Sequence, residues 1–251
     1  MIVHSFLLIG QSNMAGRGFF NEAHEINSEN IRVQRNGRWC SFTRPVVFDR
    51  AFSGVCLAES FAQEYSLKKG VITGLIPCAD GGTKIDQWEK GSLLYDNAVN
   101  CARLAQRTST IAGVLWHQGE SDTLPELCDA YEKKLETLFE NLRCDLGLYD
   151  VPFIVGSIGD YMQFYNNGER KTGYEKVNAQ LKHYAQTHEM TGFVDTAGLP
   201  YHDDNLHFSA SALYEIGIRY FNAFEKIEDK NKQFPDKPYD NVTVRSEMEN
   251  L

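Results

Sequence analysis

The chain has 251 residues, 42% hydrophobic and 24% charged, enough to bury one sizeable core and too apolar for a disordered segment. A formal net charge of −9 and a pI near 5.3 argue against nucleic acid or an anionic membrane as partner, since either would require clustered Lys and Arg, and favour a neutral small-molecule or oligosaccharide substrate. The six cysteines form neither a CxxC pair nor a metal-type Cys/His spacing and lie within or beside apolar segments, so they read as buried thiols.

Five short apolar runs recur along the chain, at 2–9, 71–77, 111–116, 152–157 and 192–195. Continuous runs of this length suit strands buried on both faces of a parallel sheet. Amphipathic stretches at 56–69, 93–108, 126–146, 173–189 and 209–226 separate or follow them and read as helices. Strand alternating with helix implies right-handed crossovers and a three-layer α/β/α sandwich around a five-stranded parallel sheet. The irregular stretch 17–54 is an insertion placed where it could form a pocket rim, and "NGRW" at 36–39 within it has the composition of a hairpin turn. Residues 1–226 are expected to form one domain; 227–251 read as a polar tail without a fold of its own, and the sequon at Asn241 is attributed to chance. Because 2–9 already reads as a strand and not as a leader, a cytoplasmic protein is expected; a leader cleaved beforehand would make it secreted or periplasmic.

In an open parallel sheet, ligands bind beyond the carboxyl ends of the strands. Polar segments follow four of the five runs there: "GQSNM" at 10–14, "ADGGTKIDQW" at 79–88, "WHQGESD" at 116–122 and "HDDNLHFS" at 202–209. Any one of them could be turn chemistry, with Ser12 or Ser209 as a helix cap and Gly81-Gly82 as a loop pair, but four at one sheet edge exceed what turns require. Together they hold the parts of serine catalysis. Ser12 is a hydroxyl at a helix start, where free amides favour negative charge. Asp204 and His207 are three residues apart, so one turn can bring carboxylate to imidazole. Gly82 allows close backbone approach, and Gln118 carries a neutral NH₂ able to donate to an oxyanion. Glu120 is an alternative carboxylate for His207, or a support for Gln118 and its loop. Trp39, Trp88, Tyr201 and His202 are candidates for stacking on a sugar ring.

These blocks, in order, resemble those of the SGNH hydrolases, in the branch containing sialate O-acetylesterases and acetylxylan esterases. The resemblance spans about residues 2–224, and "HQGE" is its most specific element. It implies a flavodoxin-like α/β/α fold and ester hydrolysis without metal or cofactor, typically removal of O-acetyl groups from sugars. Carried over by position, Ser12 is the nucleophile, His207 the base and Asp204 its partner. The Ser12 and Gly82 amides and the Gln118 side chain form the oxyanion hole, with Gln118 standing where the wider superfamily has Asn. Lipid, aryl or thioester substrates, or sugar binding without catalysis, are the alternative functions.

Overall fold

The computed structural model describes residues 3–228, which leaves Asn241 and most of the polar tail outside the described residues. Strand β1 (Val3–Gly10) is buried along its whole length and pairs in parallel with β4 (Ile72–Pro77) on one side and β5 (Thr110–His117) on the other. A run this apolar has no face to give to water, and that places it at the centre of the sheet. β6 (Phe153–Gly156) and β7 (Thr191–Val194) continue the parallel sheet beyond β5.

The sheet has seven strands rather than the expected five, in the order β3-β2-β4-β1-β5-β6-β7. The extra pair is a hairpin from the insertion, β2 (Ile31–Arg35) and β3 (Arg38–Ser41), antiparallel to each other, with β2 parallel to β4. Its turn is Asn36-Gly37, both at positive φ, as the "NGRW" stretch predicts. These strands escape an apolar-run criterion because they form an edge: "IRVQR" alternates where the central strands are continuous.

Helices α2 (Ala58–Lys69) and α7 (Ala210–Glu228) pack together on one face of the sheet. There Phe6 of β1 meets Phe61 of α2 at 4.7 Å and Phe224 of α7 at 5.5 Å. The opposite face carries α3 (Leu93–Ala105), α5 (Tyr131–Leu146) and α6 (Lys171–Thr187), with Phe139 between Trp116 of β5 and Phe153 of β6. The stretch expected as one helix over 126–146 is two, since α4 (Pro125–Cys128) ends before α5 begins. The Cys128 carbonyl is taken there by the Gln180 side chain of α6, which removes it from the helical ladder. All six cysteines are free thiols; Cys56, Cys78 and Cys128 are buried, Cys40 and Cys101 half-buried, and Cys144 is exposed. No helix among the described residues is long and apolar enough to cross a membrane.

Candidate active site

β1 ends at Gly10, whose φ of +130° and closeness to β5 admit no side chain: a Cβ there would lie 2.2 Å from the His117 carbonyl oxygen. The chain then turns into the four-residue helix α1 (Ser12–Ala15), with Gln11 in the cap position. Ser12 is therefore inside the first turn and does not cap it. Its Oγ lies 3.0 Å from His207 Nε2, and His207 Nδ1 lies 2.6 Å from Asp204 Oδ2. Asp204 Oδ1 also accepts from the Leu206 and His207 amides at 2.9 and 3.0 Å, so a single turn fixes carboxylate and imidazole together.

Burial, joined by the charges of Arg17 and His202, lowers the His207 imidazole below its usual value despite its contact with Asp204. For Asp204, burial acts upward, but the hydrogen bonds from His207 and the two amides outweigh it and hold the carboxyl below the ordinary carboxylate range. At neutral pH the pair is thus a neutral imidazole beside a carboxylate.

Asn13, fully buried beside Ser12, holds this turn from the other side. Its Oδ1 accepts from the Phe208 amide at 3.1 Å and its Nδ2 reaches the Leu206 carbonyl at 3.2 Å, which grips the backbone on both sides of His207. The same Nδ2 lies 2.5 Å from Glu120 Oε1 and 2.8 Å from the Tyr161 hydroxyl. Glu120 therefore bonds to Asn13, and Asp204 is the carboxylate on the imidazole. Burial pushes the Glu120 carboxyl up to about 7, and its Oε2 is buried with no partner.

Gln118 departs from the expected position. Its Nε2 lies 2.6 Å from Asp122 Oδ2, 2.9 Å from the Thr83 carbonyl and 3.1 Å from Gln11 Oε1, while its Oε1 accepts from Tyr131. Two protons facing three acceptors leave none for an oxyanion; the side chain is fully buried and ties three strand-end loops together. Gln11 has the complementary arrangement. Its Oε1 lies against Gln118 Nε2 and the Gly119 and Ser121 amides, so its NH₂ is left without an acceptor among the described residues, and Gln11 lines the cavity beside Ser12. The amides of Ser12 and Gly82 make no hydrogen bond among the described residues either. Gly82 stands at φ +77° in open space, whereas Gly81 is pinned by its amide to Asp49 Oδ2 at 2.9 Å. Asp49 is held in turn by a two-pronged bond from Arg17 at 3.0 and 2.6 Å, which couples the 17–54 insertion to the glycine loop.

Two cavities meet at His207. The inner one, about 330 Å³, is lined by Gln11, Ser12, Gly82, Glu120, Tyr165 and Arg170 among others. The outer one, about 990 Å³, is walled by Phe19, Phe20 and Phe52 of the insertion and by Tyr201 and His202. Trp39 and Trp88 stand elsewhere: Trp39 is buried over Gly74 with its indole N–H on Thr108, and Trp88 packs edge-on to Trp116 with its N–H on Thr83. Large indoles fill this core, and the aromatic rings at the site are phenyls and phenols of loops. Tyr161, Tyr165 and Arg170 follow β6, the one strand end that the sequence left unmarked. The polar "GERK" at 168–171 is the signal there, but it reads like any solvated loop. Among the described residues no group of three or more His, Cys, Asp or Glu side chains could hold a metal ion.

The mostly parallel sheet flanked by helices is the fold of the SGNH-like hydrolases, and beyond its carboxyl edge a serine, a histidine and an aspartate stand in hydrogen-bond series. The chain belongs to the carbohydrate esterase family of sialic acid-specific acetylesterases, whose description matches residues 3–226. A probable carbohydrate esterase from Arabidopsis thaliana is 33% identical to it, over 87% of this chain and 89% of the plant protein. A solved structure from Arabidopsis thaliana superposes with a TM-score of 0.79 at 30% identity, covering 89% of this chain and 98% of that one. At the level of fold alone, NanS has a TM-score of 0.72 at 17% identity over 92% and 98% of the two chains. A carbohydrate acetylesterase from Xanthomonas citri has 0.65 at 16% identity over 92% of this chain and 57% of its own.

Proposed function

We propose that the protein is a serine-dependent carbohydrate O-acetylesterase working through an acyl-enzyme. The observation that carries this reading is the series Ser12 Oγ, His207 Nε2, Asp204 Oδ2, with steps of 3.0 and 2.6 Å, opening on a cavity whose neighbouring donors are unspent. The Ser12 hydroxyl gives its proton to His207 Nε2 as Oγ attacks the acetyl carbonyl carbon, and the carbonyl π electrons move onto oxygen. The Ser12 and Gly82 amides and the Gln11 NH₂ receive that oxyanion, which leaves Gln118 to orient Gln11. As the tetrahedral intermediate collapses, the bond to the sugar oxygen breaks and His207 returns the proton to it. Water then repeats the sequence on the acyl-enzyme, releasing acetate and restoring Ser12. Asp204 keeps the proton of the neutral imidazole on Nδ1 and so leaves Nε2 free as base.

The three phenyl rings of the outer cavity, 53%, 51% and 70% exposed at Phe19, Phe20 and Phe52, favour a second reading in which the alcohol is aryl or lipid. Acetate release from a panel of acetylated sugars and p-nitrophenyl esters separates the two. The sugar reading expects the higher kcat/KM on the sugars, and turnover confined to aryl or long-chain esters would replace it. Ser12→Ala should lower kcat by about 10⁴–10⁶-fold with an unchanged circular dichroism spectrum, and near-native turnover in that variant would overturn the serine mechanism altogether.

A further inference from the structure

The glycine pair at 81–82 is required by its surroundings and, by itself, loose. A Cβ at Gly81 would lie 2.4 Å from Arg17 Nη2, 2.7 Å from Asp49 Oδ2 and 3.5 Å from Ser12 Cβ, and the φ of +77° at Gly82 disfavours any side chain there. Glycine has more backbone freedom to lose than any other residue, so whatever fixes this loop must come from outside it. The 17–54 insertion supplies that restraint through two consecutive residues. Asp49, with a side chain 1% exposed, takes the Gly81 N–H at 2.9 Å. Arg50 Nη2 donates to the Gly81 carbonyl at 2.9 Å and to Asp80 Oδ1 at 3.0 Å, while its Nη1 donates to the Asp49 carbonyl at 2.7 Å. The two peptide planes that meet at the Gly81 Cα are thus held one by Asp49 and the other by Arg50.

In a trans peptide the C=O and the N–H that follows it point in opposite directions. The bond from Gly81 to Gly82 is trans, since Arg44-Pro45 is the one cis peptide among the described residues. Arg50 draws the Gly81 oxygen to one side and so fixes the direction of the Gly82 N–H on the other, where it has no partner among the described residues. We propose that Arg50 is a positioning residue, which by holding the Gly81 carbonyl aims the Gly82 amide at the oxyanion. The proposal rests on the esterase reading above and gives the insertion a part in the chemistry besides forming the rim. A donor aligned before charge develops needs no reorganisation in the transition state, so the gain falls on kcat. The side chains of Arg50 and Asp80 are 41% and 33% exposed, and an ion pair this open adds little to stability. The bond to the carbonyl, and not the ion pair, is the working contact.

The test is Arg50→Met, which keeps the stem and removes every donor, with Arg50→Lys and Asp80→Asn beside it. Acylation and deacylation pass through the same oxyanion whatever the alcohol. Arg50→Met should therefore lower kcat by one common factor on an acetylated sugar and on p-nitrophenyl acetate, about 10- to 10²-fold, less than the loss of a donor outright, with KM within about 2-fold. Arg50→Lys, whose ammonium can reach the Gly81 oxygen, should recover part of kcat. Asp80→Asn removes the charge of the ion pair, leaves the carbonyl bond, and should keep kcat within about 3-fold of wild type. Native kcat in Arg50→Met, a loss carried by KM, or a loss confined to one alcohol overturns the proposal, and so does a loss in Asp80→Asn as large as in Arg50→Met. Circular dichroism and Tm should be little changed; if Arg50→Met does not fold, Arg50→Gln is read by the same criteria. Absence of turnover of any ester by wild-type protein overturns the esterase reading and this proposal with it, whereas wild-type turnover with native kcat in Arg50→Met overturns the proposal alone.

Discussion

Ser12 is 5% exposed, in a short helix whose every residue is buried at the end of the central strand. The Asp204 side chain, at the other end of the same hydrogen-bond series, is 46% exposed in a turn beyond the last strand. The serine is placed by the sheet: β1 has hydrogen-bonded neighbours on both sides, Gly10 packs against β5, and the Gln11 amide is bonded to the His117 carbonyl at 3.0 Å. The histidine turn lies outside the sheet: Asn13 reaches it from the serine's own helix, and Phe208, next to His207, is buried against His117 and Tyr161. One buried amide thus ties nucleophile and base directly, beside the packing that holds the turn to the sheet edge. The exposed half of a site is the easier half to perturb, and its precision depends on what the buried half lends it.

The largest effect on this contrast is expected from Asp204→Asn. The Asn side-chain oxygen can keep the two turn amides, but its NH₂ then faces His207 Nδ1 and moves the imidazole proton to Nε2, the wrong nitrogen for a base. Steady-state assays should show kcat lower by roughly 10²–10⁴-fold with the turn intact, and a loss below 10-fold would mean that the partner of His207 is another group. A smaller effect, and a sharper test of the registering role, comes from Asn13→Ala. It leaves Ser12, His207 and Asp204 in place but frees the turn and orphans the Phe208 amide, so kcat should fall by about 10²-fold with KM little changed. Glu120→Gln retains an acceptor for Asn13 and should cost clearly less than Asp204→Asn. If it proves the more damaging in a folded protein, Glu120 and not Asp204 is the working carboxylate.

The smallest effect is on pH dependence. Neutral His207 is the base, and burial lowers its pKa, so kcat/KM should rise with pH through an apparent pKa below the usual histidine value of ~6.5 and already be near its plateau at pH 7. An acid limb centred above 6.5 would mean that the Asp204 charge outweighs burial. Glu120, with a carboxyl pushed up to about 7, adds a second inflection if its ionisation tightens Asn13, and Glu120→Gln should then remove that inflection while keeping the first.

What the sequence determined was what depends on local order and on period. Continuous apolar runs marked five of the six parallel strands, "NGRW" marked the hairpin turn, and the position of polar blocks after strands brought Ser12, Gly82, Asp204 and His207 to one edge. Asp204 and His207 were legible as a pair because three residues of one turn bring them together without help from distant elements. Side-chain direction was decided only by the tertiary structure. Gln11 and Gln118 are both glutamines beside the same loops, and only packing shows that Gln118 turns inward to Asp122 and Thr83 while Gln11 leaves its NH₂ at the cavity. Trp39 and Trp88 looked suited to sugar stacking, yet the core took them, because burying an indole removes more apolar surface from water than burying the phenyls left at the rim. The grip of Asn13 on residues 206 and 208 and the bond of Arg170 to the Thr123 hydroxyl were equally out of reach. Each joins segments far apart in the chain, and no spacing in a one-dimensional sequence records which charges find a partner once the sheet has brought its ends together.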